Sequence, residues 1–283
     1  MTSRSFDVLS AFTRRRPSMR LAHLATAAGL PLTTTHRIVA DLLECGALER
    51  APDGTLTVGL RLWEIGALAP RGHVLRDVAL PFLEDLYVAT RENVQLAVRE
   101  GLESVFLERL TGRDAVTVMT RVGSRFPLPS TGVGRALLAH ASAEVQAEAL
   151  SRPVRRWTDR TETDPERLRA VLADVRRTGV AVSDREVTAD AVSVAAPVRG
   201  PGGDVVAAVS VVVRHGAAST AALAPAVRTA ALGISRALGA PREATGARRT
   251  SASPSAPRNP PWPEAPAPSH GARVPEPEPD PIS

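Results

Sequence analysis

The segment from Leu21 to Leu48 constrains the fold more than any other part of this 283-residue chain. Its first half repeats apolar residues at the spacing of one helix face, at Leu21, Leu24, Ala25 and Ala28. Gly29 supplies a turn, because glycine adopts positive φ without a Cβ clash, and Pro31 keeps the first helix from continuing. A second apolar stripe follows at Ile38, Val39, Leu42 and Leu43. Two short amphipathic helices joined by a glycine turn indicate a helix-turn-helix.

The start of the second helix carries the side chains that would meet DNA. Thr33 can cap this helix, and Thr33, Thr34 and Arg37 project away from the apolar stripe. Short hydroxyl side chains and a cation at such a helix start suit the major groove. The same two-helix pattern also occurs in all-α domains that bind no DNA, so the neighbouring segments matter.

The flanking segments favour a winged helix-turn-helix. Two short runs surround Pro-Asp-Gly between Leu48 and Val58, where Asp53 and Gly54 fit a hairpin turn that needs positive φ. A β-hairpin directly after a recognition helix is a wing. An earlier helix that closes a three-helix core is predicted from Phe6, Val8, Leu9 and Phe12. The predicted order is helix, helix, helix, hairpin.

The composition indicates a soluble chain of about two domains, since 43% of the residues are apolar. No apolar run reaches the roughly 18 residues of a membrane span, and Arg4 and Asp7 interrupt the region where a signal peptide would be apolar. We therefore expect a cytoplasmic protein without a membrane partner. Cys45 is the only cysteine, and its apolar neighbours predict a buried thiol.

A net charge of +5 is compatible with a nucleic-acid partner, but the positive charge is not concentrated in the N-terminal segment. Every basic residue is arginine. Arg14, Arg15 and Arg16 are the candidate phosphate contacts, because arginines at a helix end can bind the DNA backbone without reading its sequence. A solvated helix end is an equally good interpretation of this cluster.

The remaining chain is predicted to form a linker and an α+β domain. A short helix from Leu60 leads into a longer one from about Val74 to Thr90, which Pro81 should bend or divide. Three consecutive antiparallel strands are predicted in NVQLAVRE, SVFLERL and AVTVMTRVG. Helices follow near residues 131–140, 143–150 and 164–178, strands at 180–183, 191–198 and 205–213, and a last helix at 220–238. This order is typical of small-molecule sensor domains.

In the second domain, the segment from Pro127 to His140, PLPSTGVGRALLAH, has the clearest pattern of a ligand-binding site. Ser130 or Thr131 can cap its helix, while the amides of residues 132–134 attract an anion such as a carboxylate at the helix start. No Gly-Lys-Ser/Thr follows, which excludes a Walker loop. An ordinary glycine-rich cap is the alternative.

The order of these features and several local strings resemble the IclR family of bacterial transcription regulators over residues 3–239. The matching strings are LPLTTTHRIVADLLECGAL, LTVGLRLWEIG, RVGSRFPLPSTGVGRALLA, DREVTADAVSVAAPVRGPGGDVVAAVSV and ISRALG. The resemblance implies a winged helix-turn-helix domain (residues 1–59), a linker helix (60–73) and a GAF-like effector-binding domain (74–239). It also implies homodimers, often paired into homotetramers, on palindromic double-stranded DNA operators.

The resemblance also assigns residues to each site. It places Thr33, Thr34, His36 and Arg37 at DNA, and helical geometry turns Thr35 toward the core and leaves His36 at the edge. The effector carboxylate would meet the amides of Gly132 and Val133. The other effector-binding positions implied are Val118, Phe126, Ser183, Asp184, Ser193, Ser210 and Val212.

This chain departs from the family pattern where the family usually has Gly, Arg and Cys. It has Asp190, Val192 and Ser193 there, and Ser183 and Val212 replace more typical polar or acidic residues. These changes predict fewer directed polar contacts to the effector. An aliphatic or aromatic acid is therefore favoured over a very small, highly polar one.

Residues 240–283 form a Pro-rich tail with no apolar period, and this composition predicts disorder. The histidines have no metal-type spacing and no nucleophile motif is present, so neither an enzyme, a metal site nor a cofactor is predicted. The leading hypothesis is a repressor that responds to a small organic acid. A ligand-independent adaptor and an activator of a catabolic operon stay open as alternatives.

Overall fold

The N-terminal part of the chain folds into three helices and a small antiparallel sheet. The computed structural model describes residues 2–13 and 16–241, apart from the side chains of residues 70 and 71. The helices are α1 (Thr2–Ser10), α2 (Leu21–Ala28) and α3 (Leu32–Glu44). The strands are β1 (Ser18–Met19), β2 (Leu48–Arg50) and β3 (Leu56–Val58), in the order β1-β3-β2. Their shared core includes Val8, Leu24, Ile38, Leu48 and Leu56.

The two turns predicted in this domain have the backbone that their glycines allow. Gly29 ends α2 with a φ of 66°, and its N–H donates to the carbonyl of Thr26. Gly54 has a φ of 79° in the wing turn. Beside it, the Asp53 carboxylate accepts hydrogen bonds from the backbone N–H (3.0 Å) and hydroxyl (2.7 Å) of Thr55, and both bonds lower the pKa of Asp53.

Three local predictions in this domain are wrong. Phe6 is 64% exposed, because α1 buries Val8 and a residue two positions away lies on the opposite side of a helix. Thr33 does not cap α3, because the helix begins at Leu32 with Pro31 at the cap position. Cys45 is exposed, because it follows the last residue of α3 on the solvent side. Strand β1, which pairs with β3, was not foreseen in the order of elements.

Two helices connect the small sheet to the second domain. Helix α4 (Leu60–Ala67) buries none of its residues, and Trp63 on it is 70% exposed. Helix α5 (Pro70–Thr90) begins four residues before the predicted start at Val74 and continues through Pro81. The helical linker is therefore present, while the domain boundaries at residues 59 and 73 stay predictions.

The second domain is built on one six-stranded antiparallel sheet. Its strands are β4 (Asn93–Glu100), β5 (Glu103–Leu110), β6 (Arg125–Pro127), β7 (Ala181–Asp184), β8 (Ala191–Arg199) and β9 (Val205–Arg214). Their order is β6-β5-β4-β9-β8-β7. The helices are α6 (Gly132–Leu138), α7 (Ala143–Ser151), α8 (Pro165–Thr178) and α9 (Thr220–Ala237). Apart from β6, these elements lie where the sequence predicts them, within a few residues.

The two faces of this sheet carry side chains of different size. One face is rich in valine and packs against α5 and α9. The other face lies under α6, and its small residues are Ala97, Ala181, Ala195, Ala208 and Ser210. Since small side chains leave room above a sheet, α6 lies close to strands β7, β8 and β9. We call this surface the small-residue face.

The predicted strand in AVTVMTRVG is wrong. Residues 115–123 form an irregular segment, and the third strand on this side of the sheet is β6. Val116 and Val118 are buried against Ala191 and Val212, which explains their alternating apolar pattern. Side chains hold the first half of this segment, since the Asn93 carboxamide donates to the carbonyl of Val116 (2.8 Å), and the Gly123 N–H donates to the carbonyl of Phe106 on β5 (2.7 Å).

The predicted disordered tail, residues 240–283, lies outside the described residues except for Ala240 and Pro241. Among the helices that the structure describes, none is long and apolar enough to span a membrane.

Candidate DNA interface and effector cavity

The start of α3 presents a polar surface to solvent. Thr33, His36 and Arg37 are exposed, and Thr34 is half-buried. Thr35 is fully buried, and its hydroxyl donates to the carbonyl of Pro31 (3.0 Å). Helical geometry predicted this inward turn of Thr35. The arrangement leaves a hydroxyl, an imidazole and a guanidinium free to reach a DNA groove.

The arginine cluster before α2 is described only at Arg16, because Arg14 and Arg15 lie outside the described residues. Arg16 does not lie at a helix end. Its N–H donates to the carbonyl of Thr13 (2.8 Å), and it lines a surface groove with Arg20 and His23. Arg20 and Arg50 are further exposed arginines of this domain that sequence reasoning did not select. An isolated arginine gives no sequence signal, because its position depends on how β1 and the wing pack.

One face of the sheet, α6 and the 115–120 segment enclose a small cavity of about 40 Å³. The polar residues of its lining are Gln95, Thr120, Thr131, Ser183, Thr188 and Ser193. The apolar residues are Phe106, Val118, Val133, Val187, Ala191 and Val212, and Gly132 completes the lining. We refer to this space as the cavity.

The start of α6 forms one wall of the cavity. Thr131 caps the helix, since its Oγ1 accepts a hydrogen bond from the Gly134 N–H (3.0 Å). The N–H groups of Gly132 and Val133 come first in the helix and therefore have no partner one turn earlier. A Cβ at Gly132 would lie 2.7 Å from the Ser193 hydroxyl. Only glycine lets this end of α6 approach strand β8 so closely.

The opposite wall is held by a network of polar side chains. The Gln95 carboxamide donates to the Thr120 hydroxyl (2.5 Å). The Arg109 guanidinium donates to the Thr120 carbonyl (2.8 Å) and to the Asn93 carboxamide oxygen (3.0 Å). Together with the Asn93 bond to Val116, these contacts fix the 115–120 segment over strands β4 and β5.

A buried ion pair anchors the loop between β7 and β8, residues 185–190. Arg135 of α6 donates two hydrogen bonds to the Glu186 carboxylate, at 2.6 and 2.5 Å. The Arg135 side chain is 2% exposed and also donates to the carbonyls of Pro129 (2.8 Å) and Val182 (3.1 Å). Because the same loop contributes Val187 and Thr188 to the cavity, the ion pair joins two of its walls.

The structure brings six of the nine predicted effector-binding residues around the cavity: Val118, Gly132, Val133, Ser183, Ser193 and Val212. Three others do not line it. Phe126 packs behind the wall against Phe106 and Trp157. Ser210 is buried in the sheet.

The third of these residues, Asp184, faces solvent outside the cavity. Its side chain pairs with Arg185 (2.9 Å), and this hydrogen bond lowers the pKa of the Asp184 carboxyl. Two of the family departures also lie elsewhere. Asp190 pairs with Arg214 at the surface (2.9 Å), and Val192 belongs to the opposite face of the sheet. Of the departures Asp190, Val192 and Ser193, only Ser193 faces the cavity. Asp190 and Val192 therefore do not reduce the number of polar contacts to an effector.

Sequence reasoning missed Gln95, Phe106, Thr120, Thr131, Val187, Thr188 and Ala191 as cavity residues. Period-2 alternation could have placed Gln95 and Ala97 on one face of β4, but not next to Thr120 from an irregular segment. Within the described part of the chain, no group of three or more His, Cys, Asp or Glu residues could hold a metal ion.

A winged helix-turn-helix joined to a sheet domain with a small cavity defines a transcription regulator that combines DNA binding with ligand sensing. The chain belongs to the IclR family of bacterial transcription regulators. The family model described as "IclR helix-turn-helix domain" matches residues 2–52, and the one described as "Bacterial transcriptional regulator IclR C-terminal" matches residues 69–236. The predicted family and fold class are confirmed, and so is the prediction that the protein is not an enzyme.

The chain resembles three bacterial proteins along most of their length. It is 30% identical to the HTH-type transcriptional regulator KipR of Bacillus subtilis, over 83% of this chain and 96% of KipR. An IclR homolog from Microbacterium hydrocarbonoxydans, solved in complex with 4-hydroxybenzoate, is 38% identical, with a TM-score of 0.80 over 84% of this chain and 98% of that one. A transcriptional regulator from Rhodococcus sp. RHA1 is 30% identical, with a TM-score of 0.73 over 84% and 97%.

Proposed function

We propose that this regulator is a repressor that binds a palindromic operator as a homodimer and leaves it when a small organic acid enters the cavity. The cavity carries this proposal. It places the free amides at the start of α6 on one wall and apolar side chains on the others, which suits a carboxylate attached to an apolar body. An adaptor that binds no ligand would not need such a space.

The chemistry of the walls favours an aromatic or branched aliphatic acid. Phe106, Val118 and Val212 form an apolar slot, and burial of an apolar body there contributes about 25 cal/mol for each Å² removed from water. The similar protein from Microbacterium hydrocarbonoxydans was solved with 4-hydroxybenzoate. This relative supports an aromatic acid as the effector class.

The exposed apolar side chains of α4 support the homodimer. Leu60, Trp63, Ile65 and Leu68 are all more than half exposed on or directly after this helix. A second copy of the chain that covers them would remove a large apolar surface from water. Two recognition helices would then face two half-sites about one helical turn of DNA apart. Pairing of two dimers into a tetramer is the further assembly we propose.

The contacts to DNA would come from the start of α3. Replacement of Arg37 by alanine should weaken operator binding by about 1–3 kcal/mol if the guanidinium reads a base, and should leave the fold intact because Arg37 is exposed. Arg167→Ala, an exposed arginine on α8, is the matched control. Operator binding by Arg37→Ala as tight as that of the wild type would show that this face of α3 does not meet DNA.

The function is tested by footprinting the full chain on the DNA upstream of its own gene, at two salt concentrations and with benzoate-type acids. Protection of a short palindrome that weakens with salt and is lost with the acid would support a repressor. Protection that strengthens with the acid would instead indicate an activator. Protection that no acid changes would indicate a ligand-independent adaptor.

A further inference from the structure

We infer that Gln95 and Thr120 recognise a second polar group on the effector, across the cavity from its carboxylate. The inference rests on the proposed function and makes it more specific. It identifies the effector class as an aromatic acid with a hydroxyl group at the end of the ring opposite the carboxylate.

The first observation is unused hydrogen-bonding capacity at a buried position. Gln95 is 2% exposed and lines the cavity. A carboxamide has two N–H donors and an oxygen that accepts two bonds, yet in the described part of the chain the Gln95 side chain makes one hydrogen bond, to Thr120. Because Gln95 lines the cavity, its carboxamide oxygen and its second N–H are available to a ligand there.

The Thr120 hydroxyl also has unused hydrogen-bonding capacity. It accepts the bond from Gln95, and among the described residues its own O–H proton has no acceptor. Thr120 is buried and faces the cavity beside Gln95. The pair therefore offers both donors and acceptors at one point of an otherwise apolar wall formed by Phe106 and Val118.

Strand register sets the distance between this point and the α6 amides. Gly132 contacts Ser193 and Ala195 on β8, and Ala195 is opposite Ser210 on β9. Ser210 is in turn opposite Gln95 on β4. Gln95 therefore lies two strand spacings, about 10 Å, from the strand under Gly132. A ligand with polar groups at both ends of a ring fits this separation, whereas one with adjacent polar groups reaches only one wall.

Other polar residues near the cavity cannot take this role. Ser183, Ser193 and Thr131 lie on the α6 side, where the carboxylate would bind. Thr188 belongs to the same side, because Glu186 of its loop is paired with Arg135 of α6. Arg109 and Asn93 are occupied in holding the 115–120 segment. Gln95 and Thr120 are thus the polar pair on the far wall.

The test compares three acids by titration calorimetry on the full chain: 4-hydroxybenzoate, 4-methylbenzoate and 2-hydroxybenzoate. The methyl group has nearly the size of the hydroxyl but forms no hydrogen bond, and the 2-hydroxyl lies beside the carboxylate. We expect 4-hydroxybenzoate to bind about tenfold more tightly than either of the others, as one well-placed buried hydrogen bond allows. Equal affinities of the first two acids would overturn the inference and leave the proposed function intact. Failure of all three to bind would overturn both.

Two variants then test whether Gln95 and Thr120 cause the preference for 4-hydroxybenzoate over 4-methylbenzoate. Gln95→Leu and Thr120→Val should each reduce the ratio of 4-hydroxybenzoate to 4-methylbenzoate affinity toward one. Gln146→Leu, on α7 and outside the cavity, is the matched control and should keep the ratio. A role of Gln95 limited to supporting the 115–120 segment would weaken both acids equally and leave the ratio unchanged, which would refute the assignment. Because the wild-type comparison needs no variant, it decides the question even if Gln95→Leu does not fold.

Discussion

Replacement of Glu186 by glutamine should destabilise the sensor domain far more than replacement of any exposed carboxylate. The variant keeps the shape of the side chain but removes the charge opposite Arg135, which is 2% exposed and cannot return to water without unfolding its surroundings. Glu186 also accepts a hydrogen bond from the Glu162 N–H (2.9 Å), so the change weakens a second attachment of the loop.

The expected loss can be estimated from the burial of the pair. Removal of one partner from a buried ion pair leaves an uncompensated charge and costs about 3–5 kcal/mol. The exposed pair between Arg152 and Glu148 on α7 has a similar distance, 2.6 Å, but both side chains are more than half exposed. Such an exposed pair contributes about 0.2–1 kcal/mol. Glu148→Gln is therefore a matched control for the same chemical change without burial.

The assay is equilibrium unfolding in urea of the wild type, Glu186→Gln, Glu148→Gln, Arg135→Met and the double variant Arg135→Met/Glu186→Gln. With m-values of about 1–3 kcal/mol/M, Glu186→Gln should lower the midpoint by about 1–5 M. The double variant should lose less stability than the sum of the two single ones, since the residues interact directly. A loss below about 1 kcal/mol for Glu186→Gln, equal to that of Glu148→Gln, would refute the reasoning.

Three further outcomes are expected. Gly132→Glu should abolish the effector response without loss of DNA binding. A side chain there meets Ser193 and places a negative charge where the effector carboxylate would bind. A full response in an operator-release assay would exclude this cavity as the effector site. Trp63→Glu should lower the dimer fraction in sedimentation velocity, since Trp63 is exposed on α4, and unchanged sedimentation would count against that interface. Burial, together with repulsion from Arg199 and Arg176, lowers the pKa of His140. The unfolded chain therefore binds a proton more readily than the folded one, and the free energy of unfolding falls as the pH drops below the ordinary value of 6.5 toward the folded pKa. His140→Leu should lose less stability over that pH range in urea unfolding, and an identical loss would contradict the assignment.

Elements defined by local periodicity were predictable from the sequence. The apolar stripe of α3 fixed both its buried face and the inward turn of Thr35, and Gly29 and Gly54 marked turns that need positive φ. The wrong predictions concern features that depend on distant partners. The alternation in residues 115–123 indicated a strand, but those valines are buried by Ala191 and Val212, far along the chain.

The cavity was predictable only in part, for the same reason. The α6 wall follows from a local motif, the glycines and threonine of residues 131–134. The far wall depends on the register that places Gln95 opposite Ser210, and on the hydrogen bond that brings Thr120 to Gln95. Neither contact leaves a local pattern, since the partners are 115 and 25 residues apart in the chain.

The small side chains that strand β8 presents to the cavity make the size of the accepted acid adjustable without a change of fold. Ala191 and Ser193 of β8 line the cavity, and the opposite side of this strand is fixed by the valine-rich core. One methylene added at such a position would occupy space that a ligand could otherwise fill, and each ligand methylene that is buried contributes about 0.8 kcal/mol. Single substitutions of this kind could therefore shift the preferred acid from larger to smaller by several-fold in affinity, while the recognition helix and its operator stay the same. One small residue of this strand, such as Ala191, therefore sets how large an acid the cavity accepts.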